Sequence, residues 1–166
     1  MPRDWERHYA DPAHLDLTPH PLLVEVADLL PPGHALDLAC GPGRHALHLA
    51  KLGWRVTAVD ASEVANRLLR ERAGSLPIEA IRADLERGEF RIAPEAYDLI
   101  CDFFYLQRDL FPQIRAGLRP GGVFTGAIRL TGSFSLNSGE LRAFFDGWKI
   151  VFYSETDSAR IIARKA

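Results

Sequence analysis

Three aspartates close successive apolar runs: Asp60 after "WRVTAV", Asp84 after "PIEAIRA" and Asp102 within "YDLICDFFY". Ahead of them, the first such run, "HALDLAC", passes into a loop with two glycines, Gly41 and Gly43. Glycine has no Cβ, so "CGPGRH" can turn sharply and let a ligand approach the backbone. A helix opening at Arg44 would aim its free N–H groups at the same spot. Asp60 lies 17 positions after Gly43, where a carboxylate can accept both hydroxyls of a ribose. A single aspartate at such a place often only ends a strand or caps a helix. Three in succession behind a glycine-rich turn describe an edge built for a nucleoside-containing ligand.

The elements that must position these residues follow from periodicity and punctuation. Residues 1–20 are polar and aromatic with several prolines, and read as an irregular arm or lid with one helical turn around Trp5 to Tyr9. "PLLVEVADLL" (21–30) has helical spacing behind an N-terminal proline and stops at "PPG". Helices are also expected at 44–53, closed by Gly53, and at 61–74, with Ser62 as N-cap and Gly74 as stop. Strands are expected at 34–40, 54–60, 77–84, 97–105 and 122–130, with a short helix at 110–118 before the last. A helix at 137–145 carries a capping box from Asn137 to Glu140. "WKIVFYSE" and "ARIIARKA" flank the short turn "TDS", which forces an antiparallel hairpin. The sum is an α/β chain with a doubly wound, seven-stranded, mostly parallel sheet and an antiparallel C-terminal hairpin, residues 1–166 forming one domain. Ligands on such sheets bind at the carboxyl ends of the strands.

Composition narrows the classes. Twenty Lys and Arg against 22 Asp and Glu give a net charge of −2, so no global field favours nucleic acid or an anionic membrane. No apolar window is long enough to span a bilayer, and the N-terminus lacks a secretory core, so the expected location is the cytoplasm. Cys40 and Cys101 make neither a disulfide framework nor, without clustered histidines, a metal site; both read as small buried residues.

"GPGRHA" satisfies the loose dinucleotide fingerprint. Asp37, inside the first strand, and the terminal hairpin both point away from a nicotinamide enzyme. Taken together, "LDLACGPGRHALHLA", "VTAVDAS", "RADLE", "YDLICDFFYL" and "LRPGGVF" resemble class I S-adenosylmethionine-dependent methyltransferases. "DWERHYADP" and "GELRAFFDGWKIVFYSE" are similar to the small bacterial tellurite-resistance and thiopurine branch.

The resemblance implies S-adenosyl-L-methionine as cofactor, S-adenosyl-L-homocysteine as product and a small-molecule acceptor, with the protein a monomer or homodimer. It implies that Gly41 and Gly43, flanked by Cys40 and Arg44, cradle the methionine portion, and that Asp37 draws its ammonium. Asp60, followed by Ala61, would hold the ribose, and Asp84 and Leu85 would face the adenine. Cys101, Asp102 and Phe103 would run beneath the methionine moiety, and Tyr9 and His20 would close the site from the arm. The sequence departs from the branch where His45 replaces the usual Asn after the loop arginine. It departs again where "SETDSARI" leaves no room for the His/Arg-bearing insertion of the tellurite enzymes. A soft or ionised acceptor needs no general base; a hydroxyl or amine would call on His20, His45 or Asp102. Two other readings are a module that holds the cofactor without transferring its methyl, and a dinucleotide-dependent oxidoreductase.

Overall fold

A run of apolar residues too short for a helix and ended by a glycine loop has one good way to bury both faces, as an inner strand of a parallel sheet. β1 (His34–Leu38) is that strand in a computed structural model that describes residues 4–11 and 15–166. β2 (Arg55–Asp60) and β4 (Tyr97–Phe103) flank it in parallel, β3 (Ile78–Arg82) pairs with β2, and β5 (Leu118–Arg129) pairs with β4. β6 (Lys149–Glu155) and β7 (Ser158–Arg164) form the expected hairpin. The sheet order is β3-β2-β1-β4-β5-β7-β6, with β7 antiparallel to both neighbours. The parts of the arm at 1–3 and 12–14 lie outside the described residues.

Among the described residues there are six helices, α1 (Trp5–Ala10), α2 (Pro21–Leu29), α3 (Arg44–Lys51), α4 (Glu63–Ala73), α5 (Leu110–Gly117) and α6 (Glu140–Ala143), of which α1 packs on α4. Strand alternation divides the core into two layers. Leu99, Cys101, Phe103 and Ala127 pack with Leu22, Leu23, Leu49 and Leu69 on one face. Ile100, Phe124 and Ile128 pack with Phe111, Ile114, Leu141 and Phe145 on the other. Ser62 caps α4 by accepting from the Ala65 N–H at 3.0 Å, and Gly74 ends it at φ 55°. α1 is docked, not loose: Glu6 accepts from the Val64 N–H at 3.3 Å, at the first turn of α4.

Several boundaries differ from expectation. β5 begins at Leu118 instead of 122, because "RPGG" continues the strand through an irregular register opposite Tyr97 and Leu99, with Gly121 at φ 82°. β3 stops at Arg82, so Asp84 belongs to the following turn. The helix expected at 137–145 shrinks to Glu140–Ala143; Glu140 does accept from the Asn137 N–H at 3.0 Å, but Gly139 in the left-handed region is the N-cap. Among the described residues no helix is long and apolar enough to cross a membrane.

Candidate functional site

The loop after β1 is shaped by backbone conformations that side chains resist. Gly41 sits at φ +57° and Gly43 at φ +94°. A Cβ on Gly41 would lie 2.9 Å from the Tyr9 hydroxyl, so the loop and α1 meet there. A Cβ on Gly43 would lie 2.3 Å from Cδ1 of Leu69, a fully buried residue of α4. Gly43 was expected to be free of a side chain for a ligand. Its partner is instead a neighbouring helix, and it lines neither cavity described next.

Two adjoining cavities open at the carboxyl edge of the sheet. One, of about 280 Å³, is lined by Asp37, Cys40, Gly41, His45 and Asp16. The other, of about 340 Å³, is lined by Trp5, Asp60, Ala61, Asp84, Leu85 and Tyr105. Tyr9, Ala39, Arg44 and Phe103 line both, so the two form one bent cleft. Arg44 ties the arm to this cleft by donating to the Thr18 carbonyl at 3.2 Å.

Asp37 is buried at the floor of the first cavity. Its Oδ1 accepts from the Cys101 thiol at 3.5 Å, and its Oδ2 has no hydrogen-bond partner. Burial lifts its carboxyl to about 7, and the neighbouring Asp60 charge adds to the rise. A buried, orphaned carboxylate oxygen in the wall of a cavity is a costly arrangement unless a cationic group completes it. Both thiols are buried and free, and burial pushes each well above the ordinary range.

Asp60 does more than face a cavity. Its Oδ2 accepts from the Gly41 N–H and its Oδ1 from the Ser62 N–H, both at 2.9 Å. The carboxylate therefore locks the glycine loop to the entrance of α4. Burial raises its affinity for a proton, and these two N–H donors oppose the rise. Asp84 makes an Asx turn to the Glu86 N–H at 3.0 Å, and its own N–H donates to Glu89 at 2.8 Å. That turn presents Leu85 to the second cavity.

Of the β4 end, only Phe103 reaches the cleft. Cys101 lies beneath it against Asp37, and Asp102 is buried, lines neither cavity and accepts from the Tyr105 N–H at 3.1 Å. Alternation along the strand puts Asp102 on the face opposite Cys101 and Phe103. Burial raises its carboxyl well above the usual range.

His20 and His45 are coupled to each other. The His20 N–H donates to Nε2 of His45 at 3.1 Å, and Nδ1 of His20 accepts from the Leu22 N–H at 3.1 Å, capping α2. A backbone N–H can only donate, so each ring uses its basic nitrogen as an acceptor and carries its proton on the other. Phe103 lies against both rings, at 4.8 Å from His20 and 4.4 Å from His45. Burial, with Arg44 adding to it, lowers His45 to about 3; burial also lowers His20. In each ring the nitrogen that could take a proton is thus already engaged by a backbone N–H. His20 lines neither cavity and shapes the cleft through Phe103. Sequence reasoning missed Gln107, which accepts from the Tyr105 hydroxyl at 2.6 Å and donates to the Leu85 carbonyl at 3.2 Å. A lone glutamine after an aromatic run gives no signal of that role.

The sequence profile of the family described as "Methyltransferase domain" matches residues 35–122. Hemagglutinin 1 of Eikenella corrodens is 30% identical over 165 residues, covering 89% of this chain and 54% of that protein. The probable S-adenosyl-L-methionine-dependent methyltransferase TehB of Haemophilus influenzae is 29% identical over 154 residues, covering 82% of this chain and 53% of that one. The chain thus spans about half the length of the curated relatives it matches. Among solved structures, TehB from Haemophilus influenzae superposes with a TM-score of 0.81 at 23% identity, covering 98% of this chain and 66% of that one. A SAM-dependent methyltransferase from Aquifex aeolicus gives 0.72 at 14% identity, covering 99% and 100%. These likenesses share the fold, and the match to the domain family over more than half of the sequence fixes the membership: the chain belongs to the class I S-adenosylmethionine-dependent methyltransferases and is similar to TehB.

Proposed function

We propose that this chain transfers the methyl group of S-adenosylmethionine to a small acceptor that is soft or already ionised, in the cytoplasm. The observation that carries the reading is the orphaned Oδ2 of buried Asp37 beside the Gly41 turn. The residues present fit the cofactor. Asp37 receives the ammonium of its methionine part, and Arg44, on the wall of both cavities, answers the carboxylate. The second lone pairs of the Asp60 oxygens are open to the ribose hydroxyls, and Ala83, Leu85 and Phe104 offer apolar walls for the adenine.

When bound, the cofactor supplies a sulfonium methyl: the acceptor's electron pair forms the new bond to carbon, and the broken carbon–sulfur pair stays on sulfur. The protein's share is alignment and exclusion of water. Trp5, Tyr9 and Phe103 wall the cleft, with α1 as its roof. The ring nitrogens of His20 and His45 that could take a proton are engaged by backbone donors, and Asp102 lines neither cavity, so in this reading the acceptor arrives with its electron pair already free. Thiolates and comparable nucleophiles suit this chemistry; hydroxyls do not. Residues 1–166 act as one domain in this reading. The free buried thiols accord with a reducing compartment. Incubation with methyl-labelled cofactor and a panel of thiols, selenite, alcohols and small acids tests the proposal. Label is expected in soft acceptors only; label in none, with the cofactor bound, would leave a binding module.

Asp37 yields a pH-dependent expectation. Its folded value of about 7 lies above the unfolded carboxylate value of about 3.9. The native state therefore holds a proton that the unfolded chain has released, and stability falls as pH rises from about 4 through 7. Asp37→Asn removes that loss. At pH 8 the free variant is expected to melt higher than the free wild type, by an amount worth on the order of 3–4 kcal/mol. Affinity for the cofactor moves the other way: it rises in the wild type from pH 6 to 8 as the carboxylate ionises, and is weak and flat in the variant. Scanning calorimetry and titration calorimetry across that range read both.

A further inference from the structure

Among the described residues, a charge without an ion-pair partner sits in the sheet two strands away from the cleft. Phe103 pairs with Ala127 across β4 and β5, Ala127 with Arg160 across β5 and β7, and Arg160 with Ser154 across β7 and β6. Residues opposite one another in a ladder share a face. The row Phe103–Ala127–Arg160–Ser154 therefore runs along one face of the sheet, at the carboxyl edge of the parallel strands. Phe103 lines both cavities of the cleft, and Ala127 belongs to the same core layer. His20, stacked on Phe103, feels the Arg160 charge. α2, which His20 caps, packs over β5.

Arg160 is half-buried, and among the described residues it makes no ion pair. Its Nε is sealed from solvent with no hydrogen-bond partner, and so is the Ser154 hydroxyl beside it. The nearby Glu155 does not answer it: that carboxylate accepts from Ser138 at 2.7 Å and belongs to the next row, opposite Ala159. Two buried polar atoms without partners on neighbouring strands, one of them on a cationic group, are an expensive pair to keep unless a ligand completes them.

We propose that Arg160, with the Ser154 hydroxyl beside it, anchors the negative end of the methyl acceptor, a small organic carboxylate whose nucleophile lies several bonds from its charge. The proposal rests on the methyltransferase reading above. Its geometry comes from the sheet: Phe103 and Arg160 are two strand spacings apart, roughly 10 Å. An acceptor held at Arg160 and reacting beside Phe103 must bridge most of that span, less the reach of the arginine side chain. A short mercaptocarboxylate does so; a compact inorganic oxyanion does not. Charge-assisted bonds to a planar guanidinium suit a carboxylate in particular.

The test compares 3-mercaptopropionate, 3-mercaptopropanol, cysteamine and selenite. Initial rates are measured with labelled cofactor, and binding of 3-mercaptopropionate to protein loaded with S-adenosylhomocysteine is measured by calorimetry. The wild type is expected to prefer the carboxylate thiol over the neutral one by at least tenfold in kcat/KM, carried by KM. Arg160→Gln should collapse that preference and the calorimetric signal, Arg160→Lys should restore part of both, and Arg160→Glu should favour cysteamine. The melting temperature of Arg160→Gln should not fall, because no internal partner is lost. Equal handling of the three thiols by the wild type, a preference that survives Arg160→Gln, or selenite as the best acceptor would overturn the proposal. Carboxylate binding that depends on Arg160 in a protein that methylates nothing would sustain the anchor and sink the transferase reading; methylation indifferent to charge would do the reverse.

Discussion

Asp60→Ala is expected to lose cofactor affinity by a hundredfold or more and, in the same variant, to melt about 10 °C lower. The first effect follows from removing an acceptor for two ribose hydroxyls, with charged-acceptor bonds worth about 1.5–3 kcal/mol each. The second follows from what the carboxylate holds in the free protein. Its two oxygens take the Gly41 and Ser62 N–H groups, each at 2.9 Å, and alanine leaves both donors buried and unsatisfied. A loss on the order of 3 kcal/mol, at roughly 2–4 °C per kcal/mol for a chain of this size, gives the fall in melting temperature. Asp60→Asn is no gentle substitute. An amide offers one oxygen where two N–H donors converge, and its NH₂ must oppose the other. Differential scanning calorimetry of the free protein and titration with the cofactor separate the two effects. An unchanged melting temperature would show that the loop is held by something other than Asp60.

Gly43→Val is expected to damage the fold itself, not only the cleft. At φ +94° a β-branched residue is strained by about 1–3 kcal/mol. Its Cβ would also fall 2.3 Å from Leu69 Cδ1, and overpacking a rigid core costs about 1–3 kcal/mol more. Together these cost roughly 2–6 kcal/mol, a large share of the about 5–15 kcal/mol of an ordinary domain, and the variant should melt far below the wild type. Gly41→Ala is the contrast. Its Cβ meets only the hydroxyl end of Tyr9, at 2.9 Å, which can swing away. That variant should fold, with weaker cofactor binding and a displaced α1. Circular dichroism melts on the two variants check the ranking; equal stability would mean that α4 yields where the packing says it does not.

The two glycines show where sequence reading stopped. A G-x-G spacing announces a tight turn before a helix, and the turn is there. Spacing does not say which glycine a ligand needs and which a helix needs, because Leu69 lies 26 positions downstream of Gly43. Asp60 was legible as a strand-end carboxylate facing the cleft, but its bond to Gly41 joins residues 19 apart and is visible only in three dimensions. The alternation of strands and helices, the hairpin and the order of motifs were legible because they rest on local periodicity and turn chemistry. The histidines carried no such signal: that a backbone donor 25 residues away engages His45 is visible only in three dimensions, and His20 is held by the Leu22 N–H of the helix it caps. Arg160 did leave a signal. A charged residue amid "ARIIA" in a strand flanked on both sides contradicts the pattern of a buried interior strand and invites a question.

The sheet order also has a consequence for how the chain is made. β7 lies between β5 and β6, and β6 has no other neighbour in the sheet. On the ribosome β6 emerges before the strand it must pair with, so for a time it and the outer side of β5 both expose unpaired, apolar edges. Translation at roughly 5–20 residues per second sets the length of that interval. The nascent chain is most open to sticking to its neighbours on a polysome in that window. Lys149 and Glu155, the charged residues at the two ends of "KIVFYSE", are placed to keep the waiting strand from pairing with a copy of itself.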